Sequence, residues 1–388
     1  LSNVEEKINE KLDWINRVFT EYGLETVYLG SRKATSLYDR LEAKQPETVV
    51  ENGPKVSVLL PVYNAANGIE TAIDSILDQS WKNIELIVID DQSTDDTTQI
   101  VKSYMEKDKR VQLYQTPVNS GPYVARNIGL SRATGEFVTV NDADDWSHPR
   151  KIEQQVNHLL KHPKVVANTS EHARLTEDLN FYRRGLFGRY IFPNMSSLLF
   201  RREPVLEKVG YWDEVRFAGD GEFKRRLLHV FGKENIVDLE TGPLSLPRQS
   251  TNSLTASSAF GYDGHFKGAR KEYVESFEWF HNQAESFYYP QHQEVRFFPI
   301  PEPMKPERKK EKWKARQFDL LIATDFRQPN EQLIHELQIL KKLGKRIGLV
   351  QIIEYDRQAS RKIDANIREL IDGQTIQMVT YGERVACS

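Results

Sequence analysis

Between residues 55 and 140 short apolar runs alternate with segments of helical periodicity, and the first two apolar runs and the last end in polar or acidic residues. Apolar runs at 56–60, 86–89, 111–115 and 137–140 read as buried strands, and 69–78, 95–105 and 122–132 read as helices, with Ile69, Ile73, Ile76 and Leu77 at helical spacing in the first. Strand and helix in strict alternation predict right-handed crossovers and a mostly parallel α/β sheet covered on both faces. Ligands of such sheets bind beyond the carboxyl ends of the strands. Polar residues crowd into those places: Tyr63-Asn64 after the first run, Asp90-Asp91 after the second, and Asn141-Asp142-Ala143-Asp144-Asp145 after the last.

The rest of the chain is organised around this core. Residues 1–54 read as a helical extension and linker. Val4, Ile8, Leu12, Ile15, Val18 and Tyr22 form an apolar stripe over 2–22, and Ser2 with Glu5 has the spacing of a capping box. The central domain is expected over 55–260, with less regular strands at 164–169, 196–201 and 241–246 and a helix over 220–231. An aromatic-rich helical segment and an exposed Pro- and Lys-rich linker follow over 261–312. Residues 313–388 then repeat the βα pattern, with strands at 320–323, 347–353 and 375–380 and helices at 330–343 and 359–371. Gly344 is placed to end the first of these helices. This is half of an ordinary doubly wound domain, expected to be truncated, and the start at Leu1 suggests an excised piece.

Composition excludes several classes. Fifty-three basic against 56 acidic residues leave a net charge of −3, which offers no electrostatic case for nucleic-acid binding. The single cysteine, Cys387, rules out a disulfide scaffold and a cysteine zinc site. No apolar run approaches the roughly 20 residues that span a bilayer. A cytoplasmic location is expected, with peripheral association at the inner face of the membrane left open.

The cluster Asp142-Ala143-Asp144-Asp145 carries the sharpest chemistry. Carboxylates at i and i+2 of an extended segment point to one side, and oxygen ligands suit Mg²⁺ or Mn²⁺. A solvated turn is the plainer alternative. Asp90-Asp91-Gln92-Ser93-Thr94-Asp95 ends another strand on the same rim. There Asp95 fits a helix N-cap, whereas Asp90 and Asp91 place two like charges at a strand end, which is costly unless something binds them.

Four motifs then stand in order: 56–64 (Val-Ser-Val-Leu-Leu-Pro-Val-Tyr-Asn), 90–97 (Asp-Asp-Gln-Ser-Thr-Asp-Asp-Thr), 121–129 with Ala125-Arg126-Asn127-Ile128-Gly129, and the acidic cluster. Over about residues 55–235 the chain resembles the GT-A fold, family 2 glycosyltransferases, which use nucleotide-diphosphate sugars and usually invert the anomeric carbon. The resemblance implies that Pro61, Val62, Tyr63 and Asn64 line the nucleotide, and that Asp91, or failing it Asp90, reads the base. It puts Arg126 near base and phosphates, Asp142 on the ribose beside Ala143, and Asp144 on a metal ion, with Asp142 and Asp145 as further possible ligands. In relatives the base is an aspartate opening a helix, often within Ala-Asp-x-Glu-Phe. Phe217-Ala218-Gly219-Asp220-Gly221-Glu222-Phe223 fits with Gly219 as a departure, which assigns Asp220, with Glu222 as fallback, or else makes Asp220 an N-cap alone.

Three further positions complete the expected site. Trp212 would touch the acceptor. Arg248 would clamp phosphate, at the start of a loop over 248–253 that covers the diphosphate in relatives. His158 and His162, at i and i+4, have a zinc-compatible spacing but no acidic third ligand nearby. The expected function is metal-dependent transfer of a sugar, most simply from a UDP donor, to a hydroxyl of a glycan or glycolipid in bacterial surface polysaccharide synthesis. Two alternatives stand beside it: nucleotidyl transfer, which would want a Gly-rich lysine-bearing loop absent at 61–68, and a catalytically silent transferase-like scaffold. The segment 320–326 resembles the first strand of two-Rossmann glycosyltransferases without further motif.

Overall fold

The structure, a computed structural model, describes residues 1–34, 36–183, 188–249, 268–306, 315–353 and 362–387. It divides into two compact units: Leu1–Trp212 with Phe223–Thr251 and Tyr288–Gln291, and Asp213–Glu222 with Asn252–Phe287 and His292–Ser388.

In the first unit the alternating pattern becomes β3 (Val56–Val62), α2 (Ile69–Leu77), β4 (Ile84–Asp90), α3 (Thr97–Lys107), β5 (Val111–Gln115), α4 (Pro122–Arg132) and β6 (Phe137–Val140). Strands β5, β4, β3 and β6 lie side by side, all parallel. Every residue of β3 and β4 is buried, as continuous apolar runs require when both sheet faces are covered. Successive side chains alternate between faces. Val56, Val58, Leu60 and Val62 join Ile69, Ile73 and Ile76 of α2 and Ile152, Val156 and Leu159 of α5 (Lys151–Lys161) in one core cluster. On the other face α4 comes close at Gly129, where a Cβ would stand 2.6 Å from Ile89 Cδ1. A larger residue there would have to displace the Ile89 side chain and crowd Leu59.

The sheet continues past β6 through β12 (Leu199–Arg201), β8 (Ala167–His172), β13 (Ile236–Pro247) and β7 (Asp145–Ser147), with β11 (Phe192–Pro193) against β8. Here pairing is antiparallel except between β8 and β13. A small hairpin joins β9 (Arg174–Leu175) to β10 (Phe181–Tyr182). Helix α6 (Arg202–Lys208) and the part of α7 (Gly219–Phe231) from Phe223 onward complete this stretch.

The N-terminal segment differs from its reading. No capping box forms: Ser2–Val4 is a short 3₁₀ turn, and α1 runs only over Ile8–Glu21, with Lys7 at its N-cap and no side-chain cap. Glu5 instead accepts a bond from the Trp14 indole at 2.9 Å. Of the expected stripe, Ile15 is buried in a cluster with Trp146, Leu244 and Leu246, joined by Phe19, which the stripe did not include, while Val4 and Tyr22 are exposed. Part of the expected linker is β2 (Leu41–Ala43), paired with β1 (Val27–Leu29).

The second unit holds α8 (Ala269–His281), a parallel pair β14 (Arg316–Phe318) and β18 (Val385–Cys387), and a parallel sheet of β15 (Leu320–Thr324), β16 (Ile347–Gln351) and β17 (Ile376–Val379). Helices α9 (Glu331–Lys342) and α10 (Ala365–Leu370) contribute Leu337 and Ile367 to its core, and Gly344 ends the chain's turn after α9 at φ +66°. The Pro-rich segment read as exposed is packed up to residue 306. Phe298, Ile300 and Met304 are buried, Ser276 Oγ donates to the Pro299 carbonyl at 2.6 Å, and the Arg216 N–H donates to the Met304 carbonyl at 2.9 Å. Proline marks where helices stop, but it does not forbid burial. The basic run over 307–314 lies outside the described residues. Among the described residues no helix is long and apolar enough to cross a membrane.

Candidate active site

Because β3, β4 and β6 are parallel and in register, with Val62 opposite Asp90, their carboxyl ends bring three polar segments to one rim. The turns there are shaped by two non-glycine residues in the left-handed region, Asn64 at φ 49° and Gln92 at φ 65°. Such conformations persist only where surrounding bonds enforce them. The Asn64 N–H donates to Ser93 Oγ at 2.9 Å, its side-chain oxygen accepts from the Thr94 N–H at 2.8 Å, and the Ala65 N–H donates to Thr97 Oγ1 at 2.8 Å. Tyr63 and Asn64 stay exposed, whereas Pro61 and Val62 are buried inside β3. Of the four residues expected along the nucleotide, only the last two present side chains to the surface of the rim.

Asp95 is not the N-cap of α3; Asp96 holds that position. The Asp95 carboxylate takes N–H groups from Ala66 and Thr97 instead, both at 3.1 Å. Burial pushes its pKa up, but the Thr97 hydroxyl and these N–H groups outweigh burial and hold it low.

Asp90 and Asp91 are both buried, and the protein itself supplies their donors. Asp90 accepts from the Ser93 N–H at 3.2 Å and the Gln115 amide at 2.9 Å. Asp91 accepts from Thr116 Oγ1 at 2.9 Å, the Ser120 N–H at 2.8 Å and the Gly121 N–H at 2.7 Å. Gly121 sits at φ 94°, a conformation that lets its N–H turn back towards the carboxylate. A ligand is therefore not needed to explain two charges at this strand end, which corrects the electrostatic argument made from sequence.

The acidic cluster is arranged differently. Asp142 is half-exposed and pairs with Arg126, whose guanidinium is buried, at 3.0 Å. Burial, then the neighbouring Asp142 charge, push the Asp144 carboxyl up to about 6. Asp145 is pushed well above the usual carboxylate range by burial, then by Asp144 and Asp142. The fully buried Lys151 donates to Asn141 Oδ1 and Ser147 Oγ, both at 3.1 Å, and burial lowers it to about 8. Carboxylates that resist ionising beside one another fit a place where a divalent cation would restore their charge. Among the described residues no group of three or more His, Cys, Asp or Glu side chains is gathered to hold a metal. The donors present suit an ion held by one or two carboxylates, with phosphate oxygens and water completing its shell.

Several other expected site residues are taken up by the protein's own contacts. Trp212 is 1% exposed, stacked on Phe223 at 4.4 Å between ring centroids, with its backbone bonded at both N–H and C=O to the Asn127 amide. It is core, and an acceptor could not reach it. Arg248 is also buried; its guanidinium lies 4.4 Å above the Tyr38 ring and pairs with Asp39, so it is not an open phosphate clamp. Residues 250–253 of the expected loop lie outside the described residues. Asp220 is half-buried in the first turn of α7, two residues after Ala218 at φ 61°. Glu222 is fully buried and faces His281 at 3.1 Å, which leaves it no solvent access as a base. His158 engages the Asn168 amide at 3.2 Å while its ring meets that of His162.

Tyr38, Asp39 and Lys151 were not found from sequence. Tyr38 holds Trp146 and Leu246, and Asp39 holds Arg248, each more than a hundred residues further along the chain, and no local pattern signals such a contact.

Residues 57–212 match the family described as Glycosyl transferase family 2. An uncharacterized glycosyltransferase of Haemophilus influenzae is 46% identical over 117 residues, covering 30% of this chain and 47% of that protein. A putative teichuronic acid biosynthesis glycosyltransferase of Bacillus subtilis, TuaG, is 42% identical over 108 residues, 28% of this chain and 43% of that protein. The chain thus spans less than half the length of either relative. The crystal structure of S. aureus TarS 1–349 in complex with UDP is 23% identical with a TM-score of 0.43, over 51% of this chain and 61% of that one. The rim just described falls almost wholly within the matched residues, and residues 57–212 of this chain are a glycosyl transferase family 2 domain.

Proposed function

We propose that this protein is a metal-dependent inverting glycosyltransferase that moves a sugar from a nucleoside-diphosphate donor, UDP in the simplest case, to a hydroxyl of a glycan. The observation that carries the reading is the acidic strand end at Asp142–Asp145, inside the family 2 domain and on the carboxyl rim of parallel strands. In this reading Tyr63 and Asn64 lie along the nucleotide, Arg126 orients Asp142, and Asp144 with Asp142 would hold Mn²⁺ or Mg²⁺. What a bound cation would supply is neutralisation of the charge that grows on the departing diphosphate. Asp220, opening a helix, takes the proton of the acceptor hydroxyl as its oxygen bonds to the anomeric carbon. The bond from that carbon to the phosphate oxygen breaks, and its electron pair leaves with the nucleotide. The resemblance to a teichuronic acid glycosyltransferase supports an acceptor in a bacterial surface polysaccharide.

Incubation with UDP-, GDP- and dTDP-sugars, with and without Mn²⁺, tests the reading. One donor should release its nucleoside diphosphate in a Mn²⁺-dependent way, and Asp144→Asn should lose that release. Pyrophosphate as the product would favour nucleotidyl transfer instead. Absence of any nucleotide binding would favour the scaffold.

A further inference from the structure

We infer that Asp39 is a positioning residue for the acidic strand end, acting through Arg248, and that the segment before the family 2 domain thereby sets how tightly a cation and nucleotide are held. The inference rests on the proposed role of Asp144.

Asp39 is buried and joins three separate pieces of chain. It accepts from Ser36 Oγ at 2.6 Å, from Thr71 Oγ1 on α2 at 2.9 Å, and from the Arg248 guanidinium. Arg248 follows β13, whose Pro247 stands opposite Asp145 in the antiparallel pair with β7. With the Arg248 side chain anchored on Asp39 and the Tyr38 ring, its main-chain N–H is held 3.3 Å from Asp145 Oδ1. Tyr38 reinforces the same junction. Its hydroxyl accepts from the Trp146 N–H at 2.9 Å and donates to the Leu246 carbonyl, tying β7 to β13. Tyr38, Asp39 and Arg248 all lie outside residues 57–212, so this brace is added to the matched domain by the flanking chain. Residues that orient metal-binding carboxylates from behind typically alter affinity by about 10- to 100-fold.

Isothermal titration of UDP in Mn²⁺ and in EDTA, on the whole chain, provides the test. Asp39→Asn should weaken the Mn²⁺-dependent gain in UDP affinity about tenfold, and leave the affinity in EDTA unmoved. Arg248→Gln should do the same, and the double variant should be no weaker than the weaker single one, because the two act in series. Tyr38→Phe keeps the ring under the guanidinium but loses the hydroxyl, and should speed hydrogen exchange at the amides of 145–147 about tenfold, a shift of roughly 1.4 kcal/mol. Independent, additive losses, equal weakening in Mn²⁺ and EDTA, or wild-type exchange and affinity in Asp39→Asn would each overturn the inference. Should Asp39→Asn fail to fold, Ser36→Ala removes one donor and should give a smaller loss in the same direction; wild-type values there would count against it. If the unaltered protein binds UDP equally with and without Mn²⁺, the proposed metal role falls. Exchange at 145–147 in Asp39→Asn then decides the positioning role alone.

Discussion

The guanidinium of Arg126 lies 3.0 Å from the Asp142 carboxylate, one partner buried and the other half-exposed. The pair links α4 to the end of β6, two elements joined in sequence only through a turn. Arg126 also stacks over Tyr123, 4.9 Å from the ring centroid. Arg126→Gln should therefore destabilise the fold by about 1.5–3 kcal/mol, the range for a lost bond to a charged group. Urea unfolding measures this, and UDP affinity should fall with it.

Asp144 predicts a pH effect with a definite sign. Its folded pKa of about 6 lies above the ordinary 3.8, so ionising it in the folded state is unfavourable without a cation. Its contribution is full at low pH and is lost as pH rises from about 4 through about 6. The melting temperature of Asp144→Asn should thus gain on the unaltered protein over that window in EDTA, and Mn²⁺ should narrow the gap. Parallel melting curves at all pH values would count against the assignment.

His148 acts in the opposite direction. It is fully buried, stacked on Phe19 at 5.4 Å, with Nε2 3.0 Å from the Glu25 carbonyl, and burial lowers its pKa to about 4. The unfolded chain takes up this proton near pH 6.5 and the folded chain resists it, so stability is lost as pH falls from about 6.5 to 4. The size is about 3 kcal/mol. His148→Gln should flatten that limb in denaturant titrations at pH 7 and pH 4.5.

Asp220 and Glu222 should separate cleanly. Asp220→Asn should cut turnover by about 10²–10⁴ while UDP affinity stays within twofold. Glu222→Gln leaves the buried His281 ring facing a neutral amide, and its main effect should be a lower melting temperature.

Trp212→Ala should cost about 3–5 kcal/mol, the range for deleting a large buried aromatic side chain. Trp212→Phe should recover most of that, because Phe223 and Phe200 still have a ring to pack against. The acceptor KM of the folded Phe variant should match the unaltered protein.

Much of the domain is legible in the sequence. Strand β5, helix α4 and strand β6 stand where their apolar runs and turn signals put them, and β3 and β4 extend their runs by two to three residues. The misreadings have physical causes. The Ser2 and Glu5 spacing fits a cap, but nothing local makes the chain start a helix there, and α1 begins at Ile8 where its buried stripe starts to pack. Proline after 298 was read as exposure, although a proline that breaks a helix can still bury its neighbours.

Sequence alone determined the alternating strands and helices, the order of the four motifs and the gathering of Asp142, Asp144 and Asp145 at a strand end. These follow from periodicity and from parallel registers, which are local rules. Only the tertiary structure decided which polar side chains are already satisfied. Asp91 is bound by Thr116, Ser120 and Gly121, Arg248 by Asp39, and Trp212 is sealed under Phe223, while Asp144 keeps a perturbed carboxyl. The reason is that burial and hydrogen-bond satisfaction depend on what packs against a residue from distant parts of the chain. Asp39 and Arg248 are 209 positions apart, a separation no local pattern can encode.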